Sequence, residues 1–517
     1  MDEKTYSNPE IASAINEEFI PIRVDIDKRP DISERYNRGG FPTTAFLSDR
    51  GESIWGATFV PPIDMKRIME AILSAKGSGE IEKALQRSRQ QASDATGGAR
   101  VRRPADSGQL SDVFETIFAA YDVEFGGFGV EPKFPLPDVV ELLLTRYIET
   151  GEDSLLEAAV NSLKQMASGL QDEIEGGVFR YSVTRDWRTP HYEKMLETNV
   201  SFLRNLIHAH GIVGDRGFDS IARDTANYIL TALHDVDEGG FYGSQDADEE
   251  YYKLDSKARS RRKAPSVDKT IYAGWNGDAS ATFVLAGTVL DDERLIKAAE
   301  SSWDYSLHHL WNPKLGLVRH VASEEVYLFE DQASFLGALL AQLGLSKDDS
   351  KIDLAERLIL GVDRAFANPD GGYNDVLRTE KAIGELETPR RALVENSNWA
   401  LELAQFGAVV HRRELTEKAR DILTAFAISE VEAHGVFAAA YLRTVWAVGR
   451  GVRAVEIHTK AKESTFLAVA LSFPDPSIIP ISTVESGLTE SYSLVCTEKG
   501  CSPKMRDTEQ LLRLLRT

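Results

Sequence analysis

One stretch concentrates groups that move protons and hold hydroxylated ligands: RYSVTRDWRTPHYEKMLETN, residues 180–199. It carries Arg180, Tyr181, Asp186, Trp187, His191, Glu193 and Lys194. Other polar stretches are SQDADEEYY (244–252), GWNGD (274–278), LFEDQA (328–333) and ETPRRALVENSN (387–398). Two carboxyl groups in different environments serve as acid and base. A histidine beside an acid can move a proton next to a carbonyl, which is epimerase or isomerase chemistry. Aromatic faces pack on the C–H faces of sugars. The pattern makes His191, Glu193, Asp246, Asp248 and Asp331 the catalytic candidates. Arg180, Tyr181, Trp187, Lys194, Trp275 and Asn276 are the substrate-binding candidates. Each also has a plainer use. His191, after Pro190, could satisfy a helix start. Asp246 and Asp248 could cap loops or pair with Arg188. Asp331 stands where N-capping is common, and Trp187 and Trp275 suit a core as well as a platform.

These stretches need a scaffold that brings them to one face. Glycine-rich turns recur six times: EFGGFG (124–129), EGGVFRY (175–181), EGGFYG (238–243), KLGLVRH (314–320), DGGYND (370–375) and HGVFAA (434–439). A unit recurring in this way signals a repeat architecture. Between the turns, apolar spacing predicts twelve helices, at 109–119, 136–149, 153–171, 194–212, 216–232, 278–289, 292–307, 332–344, 348–366, 396–410, 413–428 and 438–449. Short links such as GED make antiparallel neighbours, and the long links hold the glycine turns. Six hairpins closed into a ring would put every long loop on one face. The expected architecture of residues 109–450 is therefore an (α/α)6 toroid of six hairpins. An open solenoid is the rival and would leave its end helices uncapped.

The ends differ in texture. Residues 1–78 read as helix, strand (FIPIRVDID), helix, strand, hairpin, strand, helix, the order of a thioredoxin-like domain after its first strand. RGGFPTTAFLSDRGE (38–52) puts Pro42 where such a domain holds a cis-proline beside a thiol. A generic α/β unit in which Pro42 only begins a strand fits the same pattern. Residues 79–108 are polar and without period, and read as an exposed linker or a partly helical connection. Residues 451–517 read as a small α/β region, with RAVEIHTK, TFLAVALSF and SYSLVCTE as strands and TEQLLRLLRT as a helix. The expected fold class is thus multidomain α+β: a thioredoxin-like domain lacking its N-terminal part, a toroid, and a C-terminal α/β region.

The 517 residues include 59 basic and 81 acidic ones, a net charge of -22. That disfavours nucleic acid and anionic membranes as partners, and no apolar run is long enough to span a bilayer. MDEKTYSNPE has no secretion-signal pattern, so a cytoplasmic location is expected. Only two cysteines occur, Cys496 and Cys501, and free thiols in a reducing compartment are the expectation. No metal site is expected. CTEKGC supplies two ligands only, His308 and His309 are adjacent, and His208 and His210 do not share a helix face. No Walker A motif, dinucleotide fingerprint or G-x-S-x-G elbow is present, so no cofactor is expected.

Together, NEEFIPIRVDIDKRPDI, GGFPTTAFL, FGGFGVEPKFP, GGVFRYS with DWRTPHYEKML, GGFYGSQDADEE, WNG, EDQA and the C-terminal C-x4-C-x-P run through nearly the whole chain. In these motifs the chain resembles the thioredoxin-domain proteins of the spermatogenesis-associated protein 20 family. The resemblance implies a thioredoxin-like domain followed by a toroid similar to those of sugar epimerases and six-hairpin glycosidases. Three departures stand out. The family's C-x-W-C-H-V-M motif is missing, Met1 falling at the place of its methionine, so Pro42 faces no thiol. The segment after QDAD is short. Asp278 in WNGD stands where the family tends to have an apolar residue. Two functions fit: a sugar-active hydrolase, epimerase or isomerase with a carbohydrate-like ligand at the toroid mouth, or a thiol-redox or client-binding thioredoxin-like protein whose dithiol is missing. The oligomeric state is not legible.

Overall fold

The computed structural model of the chain describes residues 1–95, 106–379, 382–460 and 464–516. The segment 96–105, inside the expected linker, lies outside the described residues; before it, Glu80–Ala95 forms a helix. The chain divides into two compact units, Met1–Val101 with Asp375–Arg390, and Arg102–Asn374 with Arg391–Thr517.

The first unit is thioredoxin-like in its helices and hairpin. Helix α1 (Pro9–Glu18) starts where the Asn8 side chain accepts hydrogen bonds from the amides of Glu10 and Ile11. Then come α2 (Pro30–Tyr36), strands β1 (Thr44–Leu47) and β2 (Ser53–Ala57), α3 (Pro62–Gly77) and α4 (Glu80–Ala95). Strands β1 and β2 pair antiparallel, and Ile11, Val60, Met65 and Met69 form the core beneath them. The Phe41–Pro42 peptide is cis. The expected strand FIPIRVDID does not form. No strand pairs with it among the described residues, and Ile20 and Ile22 stand 90% and 79% exposed. Without a neighbour, a strand has no hydrogen-bond ladder to hold it. Residues 375–390, an excursion between toroid elements, belong to this unit. Arg35 forks onto the Asp375 carboxylate at 2.6 and 3.1 Å and donates to the carbonyls of Glu385 and Thr388.

The second unit is the closed ring. Its inner helices are α6 (Pro137–Thr150), α8 (Leu196–Val213), α10 (Ala273–Val289), α12 (Phe329–Leu345), α14 (Leu393–Val409) and α16 (Ala439–Arg450). Each packs on the next, and α16 returns to α6, which closes the ring and removes the open-solenoid alternative. The outer helices are α5 (Ser107–Ala119), α7 (Asp153–Leu170), α9 (Arg216–Tyr228), α11 (Glu293–Tyr305), α13 (Asp349–Ala365) and α15 (Arg413–Thr424). They cover the ring from outside, α5 lying on α16. Gly151 and Gly214, at φ 69° and 66°, end α6 and α8 and make the short links to α7 and α9 possible. Three inner helices begin earlier than their apolar period suggests, at Ala273, Phe329 and Leu393. Their first turns carry polar residues that face other parts of the protein, so the apolar rule does not see them.

Five of the six glycine turns share one construction, each closed by a short antiparallel bridge: Tyr121 to Phe128, Gln171 to Val178, His234 to Phe241, Trp311 to Val318 and Ala367 to Tyr373. The sixth, HGVFAA, is instead a 3-10 turn, Gly435–Ala438, running into α16. Four of the five are held by an amide at the fourth residue of the following inner helix. Asn199 accepts from the Val178 amide at 2.7 Å and donates to the Val178 and Met195 carbonyls. Asn276 does the same for Phe241, Gln332 for Val318 and Asn396 for Tyr373. Gly177 shows why glycine is required there: its φ is 74°, and a Cβ would lie 2.4 Å from the Tyr228 ring.

The C-terminal region covers the far ends of the inner helices. Strands β3 (Arg453–Thr459), β4 (Ile478–Val484), β5 (Tyr492–Thr497) and β6 (Gly500–Cys501) form a sheet in the order β4–β3–β5–β6. TFLAVALSF, expected as a strand, is helix α17 (Thr465–Ser472), the crossover between parallel β3 and β4. Short apolar runs do not distinguish strand from buried helix by period. Here Phe466, Leu467 and Ala470 bury one helical face, and the strand is the following segment, Ile478–Val484. Helix α18 (Thr508–Leu515) closes the layer. The Pro474 and Pro476 carbonyls accept from Thr145 and Gln405, near the ends of α6 and α14. Cys496 and Cys501, expected as free thiols, are disulfide-bonded: the tight β5–β6 hairpin sets them directly opposite each other. Among the described residues no helix is long and apolar enough to cross a membrane.

Candidate active site

The starts of the inner helices hold the acid groups. Glu197 is the second residue of α8, Glu330 and Asp331 the second and third of α12, and Glu395 the third of α14. Each lies one or two positions before the clamping amide of its helix, so the amide that anchors the turn also fixes the acid at the mouth. Glu330 lies within a wall of protein yet keeps some contact with water. Burial, with the nearby Asp331 and Glu395 charges, pushes its carboxyl well above the ordinary glutamate range, and His320 opposes the shift. Asp331 is fully buried; its carboxylate lies 3.1 Å from His320 Nδ1 and accepts from the Gly274 amide at 2.8 Å. His320, Glu330 and Asp331 offer three donor atoms within 4.8 Å of one another, a geometry that a metal ion could use.

Deeper in the ring, the same helix faces carry more ionisable groups. Residues 197, 201, 204 and 208 share one side of α8. His208 Nδ1 meets the Glu141 carboxylate at 2.9 Å. Burial works against ionising Glu141, but His208, Arg443 and Arg204 outweigh it and hold this carboxyl well below the usual range. Asp278, the departure seen in WNGD, is pushed up by burial, with Arg204 and a Ser334 hydrogen bond pulling the other way. Burial and Asp278 raise Glu402 on α14 well above its ordinary value.

Beside Glu197 a cleft of about 200 Å³ opens between the starts of α6 and α8, lined by Phe134, Pro137, Arg180, Glu197 and Ser201 among others. Its edge is an aromatic stack. The Tyr181 ring lies 4.6 Å from Phe134 on one side and 5.0 Å from His191 on the other, and a two-residue ladder pairs Tyr181 with His191. Arg180 donates to Glu193 at 2.8 Å. His191 Nδ1 is 3.9 Å from that carboxylate, beyond hydrogen-bond reach, and has no hydrogen-bond partner. Arg180, Tyr181, His191 and Glu193 thus form one rim.

The remaining candidates sit elsewhere. Lys194 is fully buried, bonded to Asp172 at 2.7 Å and the Gly176 carbonyl at 2.8 Å, with the Tyr228 ring 4.4 Å away. A ligand cannot reach it. Arg259 also bonds Asp172, and the pair holds its carboxyl below the usual range although burial opposes this. Trp187 is buried in a left-handed conformation, φ 65°, its indole N–H donating to the Phe125 carbonyl. Asn276 is spent on its turn. Asp186 accepts from Thr184 and the Arg188 amide. Asp248 caps the one-turn helix Glu249–Tyr252, and Asp246 accepts from the Ser266 hydroxyl. Trp275 leans on Tyr272 at 4.6 Å. Sequence reasoning missed Glu197, Glu330 and Glu395. The signal was an acid just before an amide at three helix starts: E-T-N, E-D-Q and E-N.

Comparison with known proteins agrees with this architecture. Residues 1–97 match the Thioredox_DsbH family model, described as a protein of unknown function, DUF255. Spermatogenesis-associated protein 20 of Rattus norvegicus is 30% identical over 272 residues, 48% of this chain and 34% of that protein. The match therefore spans about a third of that relative's length. Cellobiose 2-epimerase from Spirochaeta thermophila aligns with a TM-score of 0.50 at 16% identity, over 61% of this chain and 82% of that one. The cellobiose 2-epimerase from Bacillus thermoamylovorans aligns with the same score at 11% identity, over 61% and 85%. At these identities the likeness is one of fold. A thioredoxin-like unit and a six-hairpin toroid thus go with similarity to the Thioredox_DsbH family model at the start of the chain and to spermatogenesis-associated protein 20 over about half of it.

Proposed function

We propose that this protein binds a polyhydroxylated, carbohydrate-like ligand at the toroid mouth and acts on it by proton transfer. One observation carries the reading: Glu197, Glu330 and Glu395 stand at three inner-helix starts and act on one another, and burial with these neighbouring charges raises the Glu330 carboxyl well above its ordinary range. A neutral carboxyl beside other carboxyl groups is an acid next to bases, the division of roles that sugar chemistry at neutral pH requires. Glu197 joins the parts, since it lines the cleft and acts on the Glu330 charge. The ligand's apolar face would lie along Phe134 and Tyr181, with Arg180 and Glu193 on its hydroxyls. Asp331 and His320 position Glu330. Two toroids of the same fold are cellobiose 2-epimerases, which agrees with this reading without deciding the reaction.

The test is a panel of mono- and disaccharides followed by NMR in D2O, which reads hydrolysis, epimerisation and proton exchange together. Glu330→Gln should lower turnover by about 10²–10⁴-fold while unfolding at nearly the wild-type temperature. Full activity in this variant, or no saccharide bound by the wild type, would sink the proposal.

A further inference from the structure

The C-terminal disulfide sits among other metal-binding groups. Cys496 on β5 pairs with Cys501 on β6 across the hairpin, and Ala454 on β3 lies opposite Cys496 from the other side. Glu456, two residues along β3, therefore points to the same face as Cys496. The two sulfurs and a Glu456 carboxylate oxygen all lie within 4.8 Å of one another. The Glu456 carboxylate also meets the link from α14 to α15, where His411 adopts a left-handed conformation, φ 57°. Its Nε2 is 3.4 Å from the Glu456 carboxylate. Two sulfurs, an imidazole and a carboxylate come from three separate segments. None of this could be read from CTEKGC, which alone offers two ligands.

We propose that Cys496, Cys501, Glu456 and His411 form a zinc-type cation site, closed in the disulfide state and open when the cysteines are reduced. Two thiolates, one imidazole and one carboxylate are a donor set that suits tetrahedral zinc. Ligands at ordinary zinc distances stand about 3.5–4 Å apart, close to the His411–Glu456 separation already present. The sulfurs must part to reach that spacing. Strand β6 is a two-residue edge strand held by β5 alone, so it can move without disturbing the core. Opening requires a dithiol reductant. Two electrons and two protons pass from it to the Cys496–Cys501 bond, and the reductant closes to its own disulfide. The cation then takes both sulfurs as thiolates, and their two protons go to solvent. Reoxidation by a disulfide reverses the sequence and expels the metal.

The test uses the full chain and cobalt(II) as a spectroscopic stand-in. Protein reduced with dithiothreitol and desalted without oxygen should bind one ion, seen as a thiolate-to-cobalt charge-transfer band that zinc abolishes. Unreduced wild type should show no band. Glu456→Gln and His411→Ala should each weaken binding by about 10–100-fold, with unchanged circular dichroism. No band in the reduced wild type overturns the proposal, as does wild-type affinity in either variant. The unreduced protein is the metal-free control should Cys501→Ser fail to fold. The readout is independent of the toroid mouth, so saccharide activity bears on neither result.

Discussion

Buried charge is handled in opposite ways at the glycine turns and at the ring mouth. At the turns every buried charge has its opposite. Lys194 and Arg259 share Asp172, and Lys133 and Arg185 share Asp122. At the mouth, several carboxyl groups are gathered, and burial with the Asp331, Glu395 and Glu197 charges raises the Glu330 carboxyl well above its ordinary range while His320 opposes the shift. The first arrangement holds a loop in place. The second makes one carboxyl harder to ionise than an ordinary glutamate. Lys194 and Glu193 are adjacent in sequence yet differ in access, Lys194 in a sealed ion pair with Asp172 and Glu193 bonded to Arg180 on the open rim.

The contrast is broken most directly at Asp172. Asp172→Asn leaves two buried cations without their carboxylate and should cost about 3–5 kcal/mol in urea unfolding; a loss under about 1 kcal/mol would mean that the pair does not hold the turn. Asn276→Ala removes the clamp on the Phe241 turn and should cost about 2–3 kcal/mol, read from thermal melts. Next comes the mouth. The Glu330 carboxyl is raised on folding, so its contribution to stability is complete at low pH. It is lost as pH rises from the ordinary 4.5 through the raised native value. Across that interval the wild type should lose up to about 1.4 kcal/mol per pH unit more than Glu330→Gln. Equal slopes in the two proteins would show that Glu330 is not held protonated. The smallest effect is expected at Asp246. Asp246→Ala should change stability by less than about 0.5 kcal/mol and leave saccharide turnover intact. A loss of turnover there would move the acid chemistry from the ring to the loop.

Much of the fold was legible because it rests on local rules. The helix period, the glycine turns and the short links between helices follow from residue type and spacing alone, and they place the twelve helices and imply a ring. So do the β1–β2 hairpin and the strands at Arg453–Thr459 and Tyr492–Thr497. Where neighbours decide, reading from sequence failed. FIPIRVDID alternates like a strand but has no strand beside it among the described residues. TFLAVALSF is apolar enough for either structure, and packing makes it a helix.

For the site, the chain itself determined which chemistry was on offer: carboxyls, a histidine and aromatic rings in the long loops. Only the tertiary structure decided which of them meet. His191, Glu193, Arg180 and Tyr181 share a rim because a two-residue ladder folds one loop back on itself. Lys194, in the same stretch, is sealed away because strand alternation turns it toward Asp172. Glu197, Glu330 and Glu395 stand far apart in sequence and converge because a closed ring brings helix starts to one mouth. A residue's type sets what it can do in water. Burial and the sign of its neighbours decide whether it is paired or poised, and those depend on contacts between segments that no local pattern encodes.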